Sequence, residues 1–332
     1  MARGRIAKAK AEPAKKSNEL LDALRFIALS QKDEGGIIET HCRIQNNYIV
    51  GFNGILACGC PITEGIDLAP HTVSFVAALE KCLETYSITQ LSTEKLSVKS
   101  DKFKAIINCI DKDLMIYPDL NLPTVSVNNE IVKGFETVYN LIADNSPLVL
   151  TASALLQSGS IIATNRHVII EYWHGFTLPR QSMLPKAALT AVIKSGKTLE
   201  FVGISDKSAT FYFTDKSFIH SQLYAEKPQD FKGVLNVDCQ AKPIPELFYT
   251  GLDAIAKFSE ANVYFKDNLL CSHETDNMGA SYEIKGLAAG PKFKIEYLKL
   301  IENLAKTIDF NGPRHALYFF GDKVRGAIAG LT

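Results

Sequence analysis

One pattern recurs along this chain and restricts its fold more than any single motif does. An amphipathic helical stretch is followed by three or four short segments rich in β-branched residues, and the unit is met six times at a spacing of roughly 55 residues. The helical stretches are expected at 19–30, 72–86, 130–143, 182–195, 245–259 and 294–308. In the first, Leu20, Leu24, Ile27 and Ala28 share a face; in the third, Ile131, Phe135, Val138 and Ile142 do the same. Thr72 is the expected N-cap of the second, and the fourth has Pro185 in its first turn and Gly196 just past its end. Strands fill the intervals, among them Ile37–Glu39, with turns at Asn46-Asn47, Asn53-Gly54, Ser100-Asp101, Lys266-Asp267-Asn268 and Gly321-Asp322. Proline-punctuated links at 117–123 and 228–245 separate the units into pairs. Helix–strand alternation alone fits many α+β proteins. The even spacing, with prolines at both pair boundaries, selects three similar domains at 19–122, 123–240 and 241–332, each made of two helix-plus-antiparallel-strand halves, after a basic tail at 1–18.

Charge narrows the function classes. The formal net charge is zero, with 36 basic and 36 acidic residues. The tail takes Arg3, Arg5, Lys8, Lys10, Lys15 and Lys16 against Glu12 alone, which leaves a slightly acidic body. A generally basic surface is therefore not this protein's means of meeting nucleic acid, and any attraction to phosphate must be local. The tail reads as a disordered, solubilising arm, with weak nucleic-acid binding as its functional alternative. It is not a secretory signal, and nothing after it approaches the roughly 18 apolar residues of a membrane helix. The seven cysteines have apolar neighbours and no disulfide-framework spacing, so reduced core thiols in a cytoplasmic protein are expected.

Candidate chemistry concentrates in Ser160–Trp173, SIIATNRHVIIEYW. Two β-branched runs flank Thr164-Asn165-Arg166-His167, which reads as a hairpin turn around Asn165 with Thr164 and His167 at its rim beside exposed Val168 and Ile169. An enzyme would have to draw on His167, His174, His41 or the pair Cys58/Cys60, but their spacings match no metal-ligand or nucleophile pattern. No phosphate-cradling glycine loop occurs, and no cofactor is implied.

Four segments carry a likeness to a known family. Ala163-Thr164-Asn165-Arg166-His167-Val168-Ile169 resembles the A-T-D-G-H-R-L segment of DNA polymerase sliding clamps of the bacterial beta-subunit type, with Thr164 and His167 matching and Asn165, Arg166 and Val168 departing. Lys227–Leu235 resembles their F-P-D-Y-R-R-V-L link, with one extra residue and Gly233 in place of an arginine. Lys292–Leu298 is similar to the F-N-x-x-Y-L that opens their last helix, and Ala327–Thr332 stands where they end in a V-M-P-M-R-L-like tail.

The resemblance implies a DNA-clamp fold and a head-to-tail dimer closing into a ring, with sheets outside and helices facing DNA. It implies no catalysis. It implies a polymerase processivity factor whose partners are duplex DNA, bound without sequence preference, a DNA polymerase, a clamp loader and a second copy of itself. Inner-face cations would supply mild attraction to phosphates: Arg25, Lys81, Lys133, Lys186, Lys194, Lys197, Lys257, Lys299 and Lys306. A hydrophobic groove between the second and third domains would receive partner peptides, lined by Thr164, His167, Val168, Ile169, Pro228, Val234, Tyr297, Ile328 and Leu331. The departures in this groove would suit a dedicated partner set, as in a bacteriophage or mobile replicon. The alternatives from the residues themselves are a protein-interaction scaffold of the same fold that does not bind DNA, and an enzyme using His167 or the cysteines.

Overall fold

In all six expected places an apolar stripe makes a helix. In the computed structural model, which describes residues 19–82, 85–259, 261–275 and 279–331, the helices are Glu19–Ala28, Thr72–Glu80, Glu130–Tyr139, Lys186–Ser195, Phe248–Ala256 and Ile295–Leu300. The 1–18 tail lies outside the described residues. The chain divides into two compact units, Met1–Tyr117 and Pro118–Thr332.

In the first unit, Leu20, Leu24 and Ile27 are all but fully buried, while Glu19 and Asp22 sit in the first helical turn and Arg25 in the last, matching the helix dipole. This helix packs on Thr72–Glu80. Strands Cys42–Gln45, Tyr48–Phe52 and Leu56–Pro61 pair consecutively and antiparallel. Asn46 and Asn47 both have positive φ, as the two-residue turn between the first two strands demands. A second antiparallel sheet orders Ala69–Pro70, Phe103–Ile110, Lys95–Ser100 and Ser87–Ser92.

The second unit repeats the scheme: Glu130–Tyr139 packs on Lys186–Ser195, and Phe248–Ala256 on Ile295–Leu300. Gly134 permits a close approach of helix to sheet, since a Cβ there would stand 2.9 Å from the Ile161 side chain. The centre of the unit is an eight-stranded antiparallel sheet in the order Ser182–Pro185, Ser153–Gln157, Ser160–Thr164, Val168–Trp173, Val324–Ala329, Ala316–Gly321, Thr307–Gly312, Lys242–Pro243. Val168–Trp173 thus pairs with a segment about 155 residues later in the chain, in the register Val168↔Ile328 to Tyr172↔Val324. Strand pairing continues through Phe218–Gln222, Ser208–Phe213, Leu199–Ile204 and Val125–Ser126. It is also seen in a four-stranded sheet of Ser281–Glu283, Leu269–Cys271, Asn262–Lys266 and Gly290–Lys294.

Several local expectations are corrected. Ser182–Pro185 is a strand on Ser153–Gln157, and the fourth helix starts at Lys186 with extended Pro185 as its N-cap. Gly196 does end that helix in the left-handed region, at φ 61°. His71, not Thr72, caps the second helix: its Nδ1 accepts the Ser74 N–H, and Thr72 is buried inside the first turn. Ile37–Thr40 is one helical turn rather than a strand, because the Glu39 carboxylate accepts the Gly36 N–H at 2.9 Å and closes a capping box. The last helix stops at Leu300, so Lys306 lies beyond it.

Candidate functional site

The turn after Ser160–Thr164 builds one edge of the site. Asn165 Oδ1 accepts the N–H groups of His167 and Val168 at 3.0 and 2.7 Å. Thr164 Oγ1 accepts the Arg166 N–H and donates to the Val168 carbonyl. The left-handed residue of the turn is Arg166, at φ 77°, and not Asn165. A side chain there costs about 1–2 kcal/mol, and glycine loses roughly 0.5–1 kcal/mol more backbone entropy on folding. Arg166→Gly is therefore expected to stabilise the protein by about 0.5–1 kcal/mol, read as a higher urea midpoint with unchanged slope.

Strand alternation then sorts the expected groove residues onto two faces. Thr164 lies opposite Ile169, and Ile162 opposite Glu171, so these four share the outer face with Ala327 and Arg325. Val168 and its partner Ile328 share the opposite face with Tyr172, whose ring lies against the Gly134 helix; both are buried, at 1% and 0% exposure. Ile169 is also buried, so neither Val168 nor Ile169 is the exposed rim side chain expected.

Over the outer face runs the 228–235 link. Phe231 and Leu235 pack with Leu155, Ile162, Ile169, Met183, Tyr318 and Ala327 in one apolar cluster. Val234 remains 36% exposed on this link, and Pro228 half-buried. Beside the link opens a cavity of about 260 Å³, walled by Leu155, Ile162, Pro228, Phe231 and Leu235. Its floor is polar. Arg325 Nε donates to Glu171 Oε2 at 2.7 Å, Arg325 Nη1 to the Leu235 carbonyl at 3.2 Å, and Ser160 Oγ to Glu171 Oε1 at 2.7 Å. Gln181 donates to Gln157, and Gln157 to Ser160, extending the chain of bonds to the cavity rim. Arg325 also lies 5.0 Å from the Trp173 ring centroid. A cavity with apolar walls on one side and fixed polar groups at its floor and rim accepts an apolar side chain and orients its backbone.

The remaining expected residues gather at the strand ends. His167 stacks on Tyr297 with ring centroids 5.7 Å apart, and Lys294 Nζ sits 5.2 Å from the same ring. Glu296, hydrogen-bonded to Lys294, raises that ammonium's pKa. Leu331 bridges to Lys292. The structure therefore joins Ile169 and Pro228 through the Phe231–Leu235 cluster and His167 with Tyr297, and keeps Val168 and Ile328 in the core. Sequence reasoning missed Glu171 and Arg325, for which the only signal was their charge within apolar strands.

Of the nine expected DNA-facing cations, six have acidic partners. Arg25 pairs with Glu80, Lys133 with Glu130, Lys186 with Asp144, Lys197 with Asp215, Lys299 with Asp253 and Lys306 with Asp322. Lys197 and Lys306 lie past their helices, and Lys81 and Lys257 are C-caps; Lys194 is exposed in a last turn. The candidate catalytic groups have structural surroundings. Cys58 and Cys60 are buried, His174 is buried and its Nδ1 accepts the Phe176 N–H, and His41 packs edge-on to His71 at 5.1 Å. Among the described residues no three His, Cys, Asp or Glu side chains converge to hold a metal ion, and no helix is long and apolar enough to cross a membrane.

The fold is that of bacterial beta sliding clamps. The Helicobacter pylori beta clamp bound to a DNA ligase peptide matches with a TM-score of 0.77 at 16% identity, over 95% of this chain and 98% of that one. The DNA polymerase III subunit beta from Pseudomonas aeruginosa matches with a TM-score of 0.77 at 10% identity, over 94% and 97%. The sliding clamp from Bacillus subtilis matches with 0.76 at 12%, over 95% and 97%. No protein-family model matches the chain, and no curated protein matches it in sequence.

Proposed function

We propose that this chain is a DNA sliding clamp: a non-enzymatic, cytoplasmic processivity factor that closes as a head-to-tail dimer around duplex DNA and tethers a polymerase and other partners. The observation that carries the reading is the match in fold to solved clamps along almost the whole of both chains. In this reading the chain has three domains, 19–122, 123–240 and 241–332. The helices face DNA, and the outer-face cavity with the His167–Tyr297 rim receives partner peptides. The helix cations suit sliding because exposed ion pairs are weak and can be exchanged for phosphate contacts.

Each unit offers a surface for ring closure. Ser87–Ser92 is an edge strand of its sheet, with Leu91 51% exposed, and Ile106 nearby in that sheet is 54% exposed. In the other unit Ser281–Glu283 is an edge strand, and Phe258, just past a helix end, is 59% exposed. A heterologous contact between two such surfaces, made twice, closes a ring. Light scattering over a concentration series tests this. A species of twice the 36.5 kDa chain mass is expected, reduced to monomer by Phe258→Glu. Loaded by its clamp loader, the dimer should stay on circular DNA and run off linear DNA. A strict monomer at every concentration, with no topological retention, overturns the proposal.

The pairing of six of the nine expected cations with acids favours a second reading, a scaffold of this fold that does not bind DNA. Retention on circular DNA that weakens when Lys81, Lys194 and Lys257 are replaced together argues against it.

A further inference from the structure

Residues 329–331 draw three distant segments together by their backbones. Ala329 N–H donates to the His167 carbonyl at 2.7 Å, Gly330 N–H to the His315 carbonyl at 2.9 Å, and Leu331 N–H to the Lys292 carbonyl at 2.9 Å. Each carbonyl belongs to a basic or imidazole residue, and each of these has a basic neighbour in sequence: Arg166, Arg314 and, two residues on, Lys294. The segments carrying these six side chains thus meet at residues 329–331, beside the place where His167 stacks on Tyr297 and Lys294 approaches the same ring.

These cations differ from the six paired with acids above. Lys294 pairs with Glu296, but among the described residues Arg166, Lys292 and Arg314 form no ion pair. Three of the positions are also held in an unfavourable backbone. Arg314 and His315 have φ of 63° and 53° in succession, and Arg166 has φ 77°. Such conformations persist only where surrounding contacts fix them. Here the contacts are the Gly330 and Asn165 hydrogen bonds, and they leave Arg166, Arg314 and His315 exposed. Cations without acidic partners on segments that meet at one place give a locally positive surface that favours an anionic ligand.

We propose that this basic collar selects partner segments in which acidic residues flank the apolar anchors. The proposal rests on the reading of the outer face as a peptide groove and names the charge of its occupant. The neutral part of the segment lies against the apolar wall, and its aspartates or glutamates meet Arg166, Lys292 and Arg314. Charge complementarity of this kind sets specificity and encounter rate, and it weakens as salt screens it.

The test uses the full chain and three fluorescein-labelled peptides sharing one Leu- and Phe-containing centre, flanked by four aspartates, four serines or four lysines. Fluorescence anisotropy should give the aspartate peptide about tenfold tighter binding than the serine peptide at low salt, and the lysine peptide weaker binding than either. The preference should shrink in 0.5 M salt. In the variant Arg166→Gly/Lys292→Thr/Arg314→Gly the aspartate advantage should vanish while the serine peptide binds as before. The two glycines suit the left-handed positions, and circular dichroism reports that the variant is folded. If all three peptides bind equally, the groove stands and the collar proposal is overturned. If none binds at any salt concentration, the groove reading fails and the proposal fails with it.

Discussion

Acidification from pH 7 to pH 4.5 is expected to remove about 2–3 kcal/mol of stability from the second unit, mainly through His220. The side chain is 2% exposed, and burial lowers its pKa from 6.5 to about 4. The local bonds give the same direction. Thr210 Oγ1 already accepts from Asn121 N and Asn121 Nδ2, at 3.1 and 3.3 Å. Its own proton therefore points to His220 Nδ1, 2.9 Å away, and the ring must be an acceptor there. Protonated Nδ1 would confront a donor. Because the folded pKa lies below the unfolded one, the unfolded chain binds the extra proton, and stability is lost as the pH falls from about 6.5 towards 4. His174, in the same unit, is also lowered, chiefly by burial, and adds in the same direction; His41 is lowered likewise in the first unit. Carboxylates held low, such as Glu130 with Lys133 and Lys323, lose their contribution only at more acidic pH. Urea unfolding followed by the fluorescence of Trp173, the single tryptophan and in the same unit as His220, measures the slope. His220→Asn keeps an acceptor near Nδ1 and removes the titration. An unchanged pH dependence in that variant would refute the assignment.

The parts of this fold that the sequence announces are those set by periodicity within one element. Leu20, Leu24 and Ile27 mark a buried stripe whatever surrounds them, and so do Ile131, Phe135 and Val138. Asn46-Asn47 announces its turn because few residue pairs adopt positive φ at both positions. What fails is decided by bonds that the periodicity does not show, some distant and some local. Ser-Met-Leu-Pro at 182–185 suits a helix start, but Ser153–Gln157 pairs with it and makes it a strand. Ile37-Ile38-Glu39 suits a strand, yet the Glu39–Gly36 bond turns it into helix. At the site, the turn chemistry of Asn165 is legible and alternation alone puts Val168 and Ile169 on opposite faces, whereas which face meets the Gly134 helix and which the 228–235 link is set by distant packing. The collar is the extreme case. Arg166, Lys292 and Arg314 are unremarkable surface residues in sequence, and their segments meet through strand pairing with Val324–Ala329 and the hydrogen bonds of Ala329, Gly330 and Leu331.

The same dependence on distant pairing makes Glu171 and Arg325 the most sensitive polar positions of the outer face. Glu171→Ala is expected to destabilise the protein by about 3 kcal/mol, the lower end of the range for breaking a buried ion pair. Glu171 has a side chain 6% exposed, and among the described residues its charge is compensated by Arg325 and the Ser160 hydroxyl. Removing it leaves a guanidinium 22% exposed, with one bond to the Leu235 carbonyl, and a buried Ser160 without its acceptor. The partial exposure of Arg325 lets it relax towards water, which sets the effect at the low end. The double variant Glu171→Leu/Arg325→Met replaces the pair with apolar groups of similar size and is expected to recover most of the loss, to within about 1 kcal/mol of the parent. It does not restore the tie from Arg325 to Leu235, which fixes the link walling the cavity. Stability and peptide binding should therefore separate: the double variant is stable yet binds the serine-flanked peptide more weakly, whereas the parent does both. Urea unfolding by circular dichroism and anisotropy on the same samples read the two effects. A single variant as stable as the parent would show that the pair contributes nothing to the fold. A double variant that binds as the parent does would show that the Leu235 tie does not shape the groove.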